Sequence, residues 1–204
     1  MSNDFLHIRK IEKSDIPALV KVHEESFKNF FLTELGSAFL ANFYWTLSRH
    51  SNGVLTGIFE GEQLIGFAAA TRVSSGFYKK LIMSFPFIYG FETLKLVFKN
   101  IRALKRLIQN LTKKNDNIQD DGQYAELLSI AVLPSKQGLG AGKKLLLDLE
   151  NRLINEGVSR LALTTDKFEN EKTVSFYQGL QYKMLYEFVA FPERKMLKLI
   201  KSLK

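Results

Sequence analysis

Three glycines lie close together where a short apolar stretch passes into an amphipathic one. They are Gly138, Gly140 and Gly142. The residues before them have the pattern of a buried strand, and those after them have the spacing of a helix. Backbone N–H groups at a helix start have no partner within the helix and, with the helix dipole, favour an anion such as phosphate. The segment therefore predicts a phosphate-binding turn; a purely structural turn is the alternative.

Two familiar phosphate-binding patterns do not fit this turn. The P-loop requires G-x-x-x-x-G-K-[ST], but Gln137 stands where its first glycine is needed and Lys144 replaces the final serine or threonine. The dinucleotide pattern G-x-G-x-x-G fails at its third glycine, where the chain has Lys143. Asp166 lies at the end of the next predicted strand, where an acidic residue can bind ribose. Half of a dinucleotide-binding fold is therefore an alternative interpretation of this segment.

A third pattern, Q-x-x-G-x-G, fits at every position from Gln137 to Gly142. At this point the sequence resembles the GCN5-related N-acetyltransferase (GNAT) superfamily. A second segment, residues 170–182, is similar to that family's N-x-x-A-x-x-F-Y-x-x-x-G-[FY] pattern, with Thr173 for the usual alanine and Gln181 for the usual glycine. The two motifs together are specific, whereas either alone would not be.

The resemblance implies a mixed α/β fold, the GNAT fold, over a single domain of residues 1–204. In that fold a central, twisted, mostly antiparallel sheet contains one parallel pair of strands that splay apart, with helices on its flanks. Carried over to this chain, the splayed pair is 126–132 and 160–166. The likeness is good over residues 126–203 and weak over residues 8–73.

The resemblance also implies acetyl-CoA as co-substrate, bound in the opening between the splayed strands. The backbone of the first strand would pair with the pantetheine arm, the glycine turn would hold the pyrophosphate, and the second motif would line the other side. In that order, the implied binding residues are Ile130, Ala131 and Val132; Gln137, Gly138, Leu139, Gly140, Ala141, Gly142 and Lys143; and Asn170, Phe176 and Tyr177.

Members of the family transfer the acetyl group directly to an acceptor amine, which requires an oxyanion donor and a proton for the departing thiolate. The resemblance implies a backbone N–H near Val132 as the donor and Tyr177 as the acid; the alternative for Tyr177 is an aromatic that only packs beside the cofactor. Glu126 stands where some members have a general base that acts through water, although a surface glutamate at a strand start is the alternative. The acceptor would be a primary amine of a small molecule, such as an amino sugar, or of a protein.

Residue types that are scarce in the 204-residue chain argue against other chemistries. The chain has no cysteine, which excludes disulfides, thiolate metal sites and cysteine nucleophiles. His7, His23 and His50 have no metal-ligand spacing, so we expect no metal. No signal peptide or membrane-spanning stretch is recognised, so we expect a soluble, cytoplasmic protein.

Apolar periodicity and turn residues predict the remaining elements. One predicted helix begins after Ser14 and places His23 on its apolar face. The predicted strands are 6–11, 53–60, 63–73, 126–132 and 160–166, followed by a hairpin of 182–190 and 195–203. The other predicted helices are 37–49, 139–156 and 173–180.

The net charge of +8 is concentrated in two regions, one of which is an insert at about residues 74–121 between the third and fourth strands. Between Phe77 and Asn115 there are nine lysines and arginines and one acid, Glu92; the other basic region lies at the end of the chain. Apolar residues recur every three or four positions from Leu94 to Leu111, which predicts an amphipathic helix whose seam packs on the core. The insert could serve as a lid on the acceptor site, as a contact in a homodimer, or as a patch for an anionic partner.

Two other functions stay open at this stage. One is a GNAT-fold module that binds CoA without turnover. The other is a protein that works at an anionic membrane surface, since a basic amphipathic helix preceded by aromatic residues can lie on such a surface. We expect no nucleic-acid partner, because no aromatic residues alternate with the basic ones in a strand.

Overall fold

A seven-stranded sheet forms the centre of the computed structural model, which describes residues 6–28, 30–99, 120–190 and 193–203. The strand order is β1-β2-β3-β4-β5-β7-β6. The strands are β1 (Leu6–Lys10), β2 (Gly53–Glu60), β3 (Gln63–Thr71), β4 (Ala125–Val132), β5 (Arg160–Asp166), β6 (Lys183–Ala190) and β7 (Arg194–Ser202). The helices are α1 (Ile16–Ser26), α2 (Phe31–Glu34), α3 (Ser37–Arg49), α4 (Phe77–Ser84), α5 (Pro86–Lys99), α6 (Ala141–Asn155) and α7 (Glu171–Gly179).

The sheet is antiparallel except for the pair β4 and β5, which confirms the predicted mixed fold. The parallel pairing runs only from Ala125 opposite Leu161 to Leu127 opposite Leu163. Beyond this point β4 continues for five residues and β5 for three without facing each other in register. The two strands therefore diverge. The dinucleotide-binding alternative is wrong, because that fold requires a mostly parallel sheet.

A β-bulge lies in β4 where β5 leaves it. Ala70 of β3 faces Leu127 and the preceding Ala69 faces Ser129, so Leu128 is an extra residue in β4. Such a bulge bends the strand and increases its twist. The bulge and the loss of parallel pairing coincide, and together they open the sheet at this position.

Helices cover the centre of the sheet. Residues 64–71 of β3 are all buried, which shows that both faces of this strand are covered. Helices α1 and α3 pack against each other and against β2, β3 and β4, while α6 packs against the same three strands. The predicted apolar face of α1 is confirmed and includes the buried His23. None of the helices in the described part of the chain has the length and hydropathy of a membrane span.

The insert begins with α4 and α5, and of the predicted seam only Leu94 lies in the part of α5 whose side chains are described; it does not pack on the core as predicted. Leu94, the first residue of the predicted seam, is exposed. The inward side of α5 carries Tyr89, whose hydroxyl is 2.6 Å from Thr46 Oγ1, and Glu92, which accepts a 2.8 Å hydrogen bond from Asn42 Nδ2. Periodicity identifies a helix face but not the side on which the protein lies. The other residues of the predicted seam lie outside the part of the chain whose side chains are described.

Gly66 provides a test of how closely β3 and β4 pack beside the divergence. A Cβ at this position would lie 2.7 Å from the carbonyl oxygen of Ala131 and close to Ile58 and Val132. We expect Gly66→Ala to lower the free energy of unfolding by about 1–3 kcal/mol, because the backbone of β4 must shift. Urea denaturation measures the difference.

The matched control is Gly90→Ala in α5, where no atom lies within 4 Å of the new Cβ. This change should leave stability unchanged or raise it by up to about 1 kcal/mol, because alanine favours a helix over glycine. Equal destabilisation by both variants would contradict the proposed packing.

Candidate active site

A cavity of about 360 Å³ lies where β4 and β5 diverge. One wall comes from the divergent part of β4, and the opposite wall comes from the end of β5 with the start of β7 and α7. The chain after α1 covers a third side with large apolar side chains. The lining residues are His23, Phe27, Phe30, Phe31, Leu32, Leu127, Leu128, Ser129, Ile130, Leu163, Thr164, Thr165, Asp166, Asn170, Thr173, Tyr177, Arg194 and Met196.

The glycine turn follows β4 and has the geometry of an anion-binding site. Gly138 and Gly140 have φ values of 81° and 80°, a left-handed conformation that favours glycine. A Cβ at either position would have no neighbour within 4 Å, so the space beside the turn is open. The first bond of α6 runs from the Lys144 N–H to the Gly140 carbonyl at 3.0 Å, so the N–H groups of residues 141–143 have no partner within the helix.

Gln137, the first residue of the motif, braces the turn against β4. Its Nε2 donates a 3.1 Å hydrogen bond to the carbonyl of Val132, and Ser26 Oγ of α1 donates to the same oxygen at 3.3 Å. This one carbonyl therefore joins α1, the end of β4 and the glycine turn. The amide end of the Gln137 side chain thus turns back towards β4, while the N–H groups that follow it are left for a ligand.

The second motif forms the start of α7 and ties it to β5. Asn170 Nδ2 donates to Thr165 Oγ1 at 2.6 Å and to the Asp166 carbonyl at 3.0 Å. Gln181 after the helix has a φ of 72°, which explains why glycine is usual at that position of the pattern. Phe176 is not among the residues that line the cavity; it packs edge-on against Tyr177, with ring centroids 5.2 Å apart.

Tyr177 lies in the cavity wall and is buried. Burial raises the pKa of its hydroxyl to about 12, because the phenolate would lose its hydration. The side chain is therefore a neutral phenol throughout the pH range in which proteins are usually assayed. A neutral phenol at this position retains a proton that it can donate to a neighbouring atom.

Glu126 lies on β4 before the strands diverge, and it is not among the lining residues of the cavity. Its carboxylate accepts hydrogen bonds from Ser74 Oγ and from Lys198 Nζ. The carboxylate thus links β4 to β7 and to the segment that follows β3. Of the three predicted pantetheine-binding residues of β4, Ile130 lines the cavity, and Ala131 and Val132 are buried beside it.

The structure adds a group that the sequence analysis did not assign to the site: a polar chain formed by His23, Tyr44 and Ser129. His23 Nδ1 lies 2.7 Å from the Tyr44 hydroxyl, which is also hydrogen-bonded to the Ser129 side chain. His23 and Ser129 both line the cavity. The only signal in the sequence was a histidine on the apolar face of α1, since its partners are distant along the chain.

His23 is uncharged, because burial lowers the pKa of its imidazole to about 4. If Ser129 donates to Tyr44 and Tyr44 donates to Nδ1, the imidazole proton is on Nε2. In the described part of the chain, Nε2 is buried and has no hydrogen-bond partner. An unpaired buried donor costs about 1–3 kcal/mol, and a polar group of a ligand in the cavity could satisfy it.

An ion pair lies within the wall that β5 and β7 form. The guanidinium of Arg194 at the start of β7 binds both carboxylate oxygens of Asp166 at the end of β5, at 2.8 and 2.6 Å. The same guanidinium lies 5.7 Å from the ring centroid of Phe30, on the segment after α1. Asp166 is thus held as an ion-pair partner, and the ring contact brings Phe30 next to the wall of β5 and β7.

In the described residues, no group of three or more histidine, aspartate or glutamate side chains is placed to hold a metal ion. The described residues around the cavity offer hydrogen-bond donors, an aromatic wall and the edge of β4 from which β5 diverges. This combination is an opening in a sheet with a neutral phenol in its wall, and the strand at one edge of the opening leads into the glycine turn.

Comparison with known proteins assigns the family. A sequence model of the Acetyltransferase (GNAT) family matches residues 16–182, which is most of the chain. The chain belongs to the GNAT family of acetyltransferases. No curated protein sequence matches it.

Solved structures of other GNAT proteins share the fold. The ribosomal-protein-S18-alanine N-acetyltransferase from Escherichia coli superposes with a TM-score of 0.61 at 14% identity, over 98% of this chain and 95% of that chain. The PaiA N-acetyltransferase from Thermoplasma acidophilum, in complex with coenzyme A, has a TM-score of 0.62 at 18% identity over 99% of both chains. YncA from Salmonella typhimurium, with its cofactor acetyl-CoA, has a TM-score of 0.62 at 14% identity over 98% of this chain and 94% of that chain.

The burial of His23 in this GNAT protein predicts a pH dependence of folding. In the unfolded chain the imidazole binds a proton below its usual pKa of 6.5, whereas the folded chain resists protonation until pH falls to about 4. The unfolded state therefore binds more protons between these values, so stability decreases as pH is lowered through this window. As pH is lowered, we expect the free energy of unfolding of wild type to fall by up to about 1.4 kcal/mol more per pH unit than that of His23→Phe. Urea denaturation measures the difference.

Tyr44→Phe is the matched control, because it removes the hydrogen bond to Nδ1 but leaves the imidazole buried. This variant should keep most of the wild-type pH slope. Equal slopes for wild type and His23→Phe would show that His23 is not held neutral by burial.

Proposed function

We propose that the protein is an acetyl-CoA-dependent N-acetyltransferase that transfers the acetyl group directly to a primary amine. The observation that carries the proposal is the divergence of β4 and β5 after Leu127 and Leu163, which leaves the edge of β4 facing a cavity. An extended amide chain can add to such an edge as a strand does. The pantetheine arm of coenzyme A, with its two amide groups, suits the edge at Ile130, Ala131 and Val132.

The glycine turn supports the same donor. The unpaired N–H groups at the start of α6 and the positive end of the helix dipole favour the pyrophosphate of coenzyme A. The open space beside Gly138 and Gly140 lets a phosphate approach the backbone closely. Asn170 is tied to β5 at the far wall, and this tie fixes the start of α7 to that side of the cavity.

The reaction is a direct attack of the amine nitrogen on the thioester carbonyl carbon. A C–N bond forms, the oxyanion is stabilised by a backbone N–H near Val132, and the C–S bond then breaks. Tyr177 gives its proton to the departing sulfur, and the nitrogen loses a proton to water, with Glu126 as the base behind that water. The raised pKa of Tyr177 keeps this proton available, and the hydrogen bonds to Lys198 and Ser74 fix the carboxylate of Glu126.

The cavity wall favours an acceptor of low charge. Phe27, Phe30 and Phe31 supply an aromatic side, and the neutral His23 adds no positive charge against the incoming amine. The acid Asp166 is neutralised by Arg194. A primary amine on a small body or at the end of a protein chain fits this wall better than a polyamine, whose several cations would find no carboxylate left for them in the lining.

Gly142 gives a clean test of the donor site, because it accepts a side chain without strain. Its φ is not left-handed, and a Cβ there would make an ordinary 3.9 Å contact with Val132. A carboxylate in the first turn of α6 interacts favourably with the positive end of the helix dipole and so stabilises the helix. Gly142→Asp should therefore fold as well as wild type. Because the same carboxylate repels a pyrophosphate at the turn, we expect acetyl-CoA affinity by calorimetry to fall at least about tenfold.

Gly142→Ala is the matched control and should bind acetyl-CoA like wild type. If the aspartate and alanine variants bind equally well, the turn does not hold the donor. If wild type does not bind at all, the glycine turn is structural in this chain and the transferase proposal fails.

Tyr177→Phe tests the acid. Removing the hydroxyl takes away the proton for the leaving thiolate but keeps the ring that packs in the wall. We expect turnover of an accepted amine, followed by release of free thiol, to fall by about 100-fold or more at unchanged acetyl-CoA affinity. Unchanged turnover would overturn the assignment of Tyr177, and binding without turnover by wild type over a broad amine screen would favour the CoA-binding module instead.

Glu126→Gln in the same assay separates a base from a structural carboxylate. Loss of a base should shift the pH profile of kcat/KM to higher pH, because the amine must then lose its proton unaided. A loss of stability with an unshifted pH profile would show that Glu126 is not a base and acts only through its structural ion pair with Lys198.

A further inference from the structure

Large apolar side chains on α4 and α5 point away from the protein. Phe87 is 91% exposed, Met83 67%, Phe91 60% and Leu94 53%. On a helix of 3.6 residues per turn, Phe87, Phe91 and Leu94 lie within about 60° of one another. Isolated apolar side chains are normal at a surface, but several on one helix face mark a contact site. We call the residues Phe87, Phe91 and Leu94 the apolar stripe.

The orientation of α5 is fixed by polar contacts on its other side. Tyr89 meets Thr46, and Glu92 meets Asn42 and Lys95, with the Lys95 Nζ 3.0 Å from its carboxylate. Tyr89 and Glu92 are buried. Because these contacts anchor the helix to α3, the apolar stripe cannot turn inward without breaking them.

The charge around the stripe selects the chemistry of its partner. Nine lysines and arginines lie between Phe77 and Asn115, and the only acid in that range, Glu92, is buried. Lys79 and Lys80 are exposed on α4, beside the stripe in sequence. An exposed apolar face flanked by basic residues in the sequence matches the headgroup region of an anionic lipid bilayer, where apolar side chains enter the acyl boundary and cations meet phosphates.

We propose that the apolar stripe of α5 docks the protein on an anionic membrane surface. A second copy of the chain is a poorer partner, because two copies would bring the same basic sequence together with no exposed acid in that range to pair with it. An acidic protein would supply charge, but side chains as exposed as Phe87 do not form a concave groove for a partner. The docking does not depend on the transferase activity.

Flotation of the full-length protein with lipid vesicles tests the proposal. We expect binding to phosphatidylcholine vesicles that contain phosphatidylglycerol, weakening at high salt, and little binding to phosphatidylcholine alone. The double variant Phe87→Ser/Phe91→Ser should reduce binding at least about tenfold, since it removes apolar surface that enters the lipid. Both side chains are exposed, so the variant should keep the wild-type thermal unfolding curve.

The matched control is Met184→Ser/Leu185→Ser, which removes two exposed apolar side chains from β6. It should bind vesicles like wild type. Absence of binding by wild type, equal loss in both double variants, or binding that ignores lipid charge and salt would overturn the proposal. A dimer in light scattering that Phe87→Ser/Phe91→Ser dissociates, without vesicle binding, would assign the stripe to a second copy and also overturn it.

Discussion

The short parallel pairing of β4 and β5 is the constraint on which the site depends. Three registered pairs hold the strands together, and the bulge at Leu128 then turns β4 away from β5. A longer ladder would close the sheet and bury the edge of β4, whereas no ladder would leave the two walls without a fixed separation. The burial of β3 on both faces supplies the rigid support against which β4 can bend.

Each of the two walls is positioned by its own set of contacts. On one side, the Val132 carbonyl receives donors from α1 and from the glycine turn. On the other side, Asn170 joins α7 to β5, and Arg194 joins β5 to β7. None of these bonds crosses from β4 to β5 beyond Leu127. A ligand can therefore enter between the walls without displacing the bonds that position them.

The parts of the site that could be predicted from the sequence are those in which neighbouring residues make the structure. The turn at Gly138 and Gly140 needs its glycines for local backbone geometry, and β4, α6 and β5 follow in order around it. The polar chain of His23, Tyr44 and Ser129 could not be found in this way. Its members come from α1, α3 and β4, and only packing of both helices on the sheet brings them together.

The insert shows the corresponding limit for helix patterns. An apolar seam predicts a buried face when the helix has no stronger anchor, because burial of the seam is then the main gain. In α5 the anchor is polar instead: Tyr89 and Glu92 find partners on α3, and a carboxylate buried there needs the Asn42 amide and the Lys95 ammonium. Once these bonds orient the helix, Phe87, Phe91 and Leu94 face outward. The same residues that hold α5 to the protein therefore present Phe87 and Phe91 to whatever the protein meets.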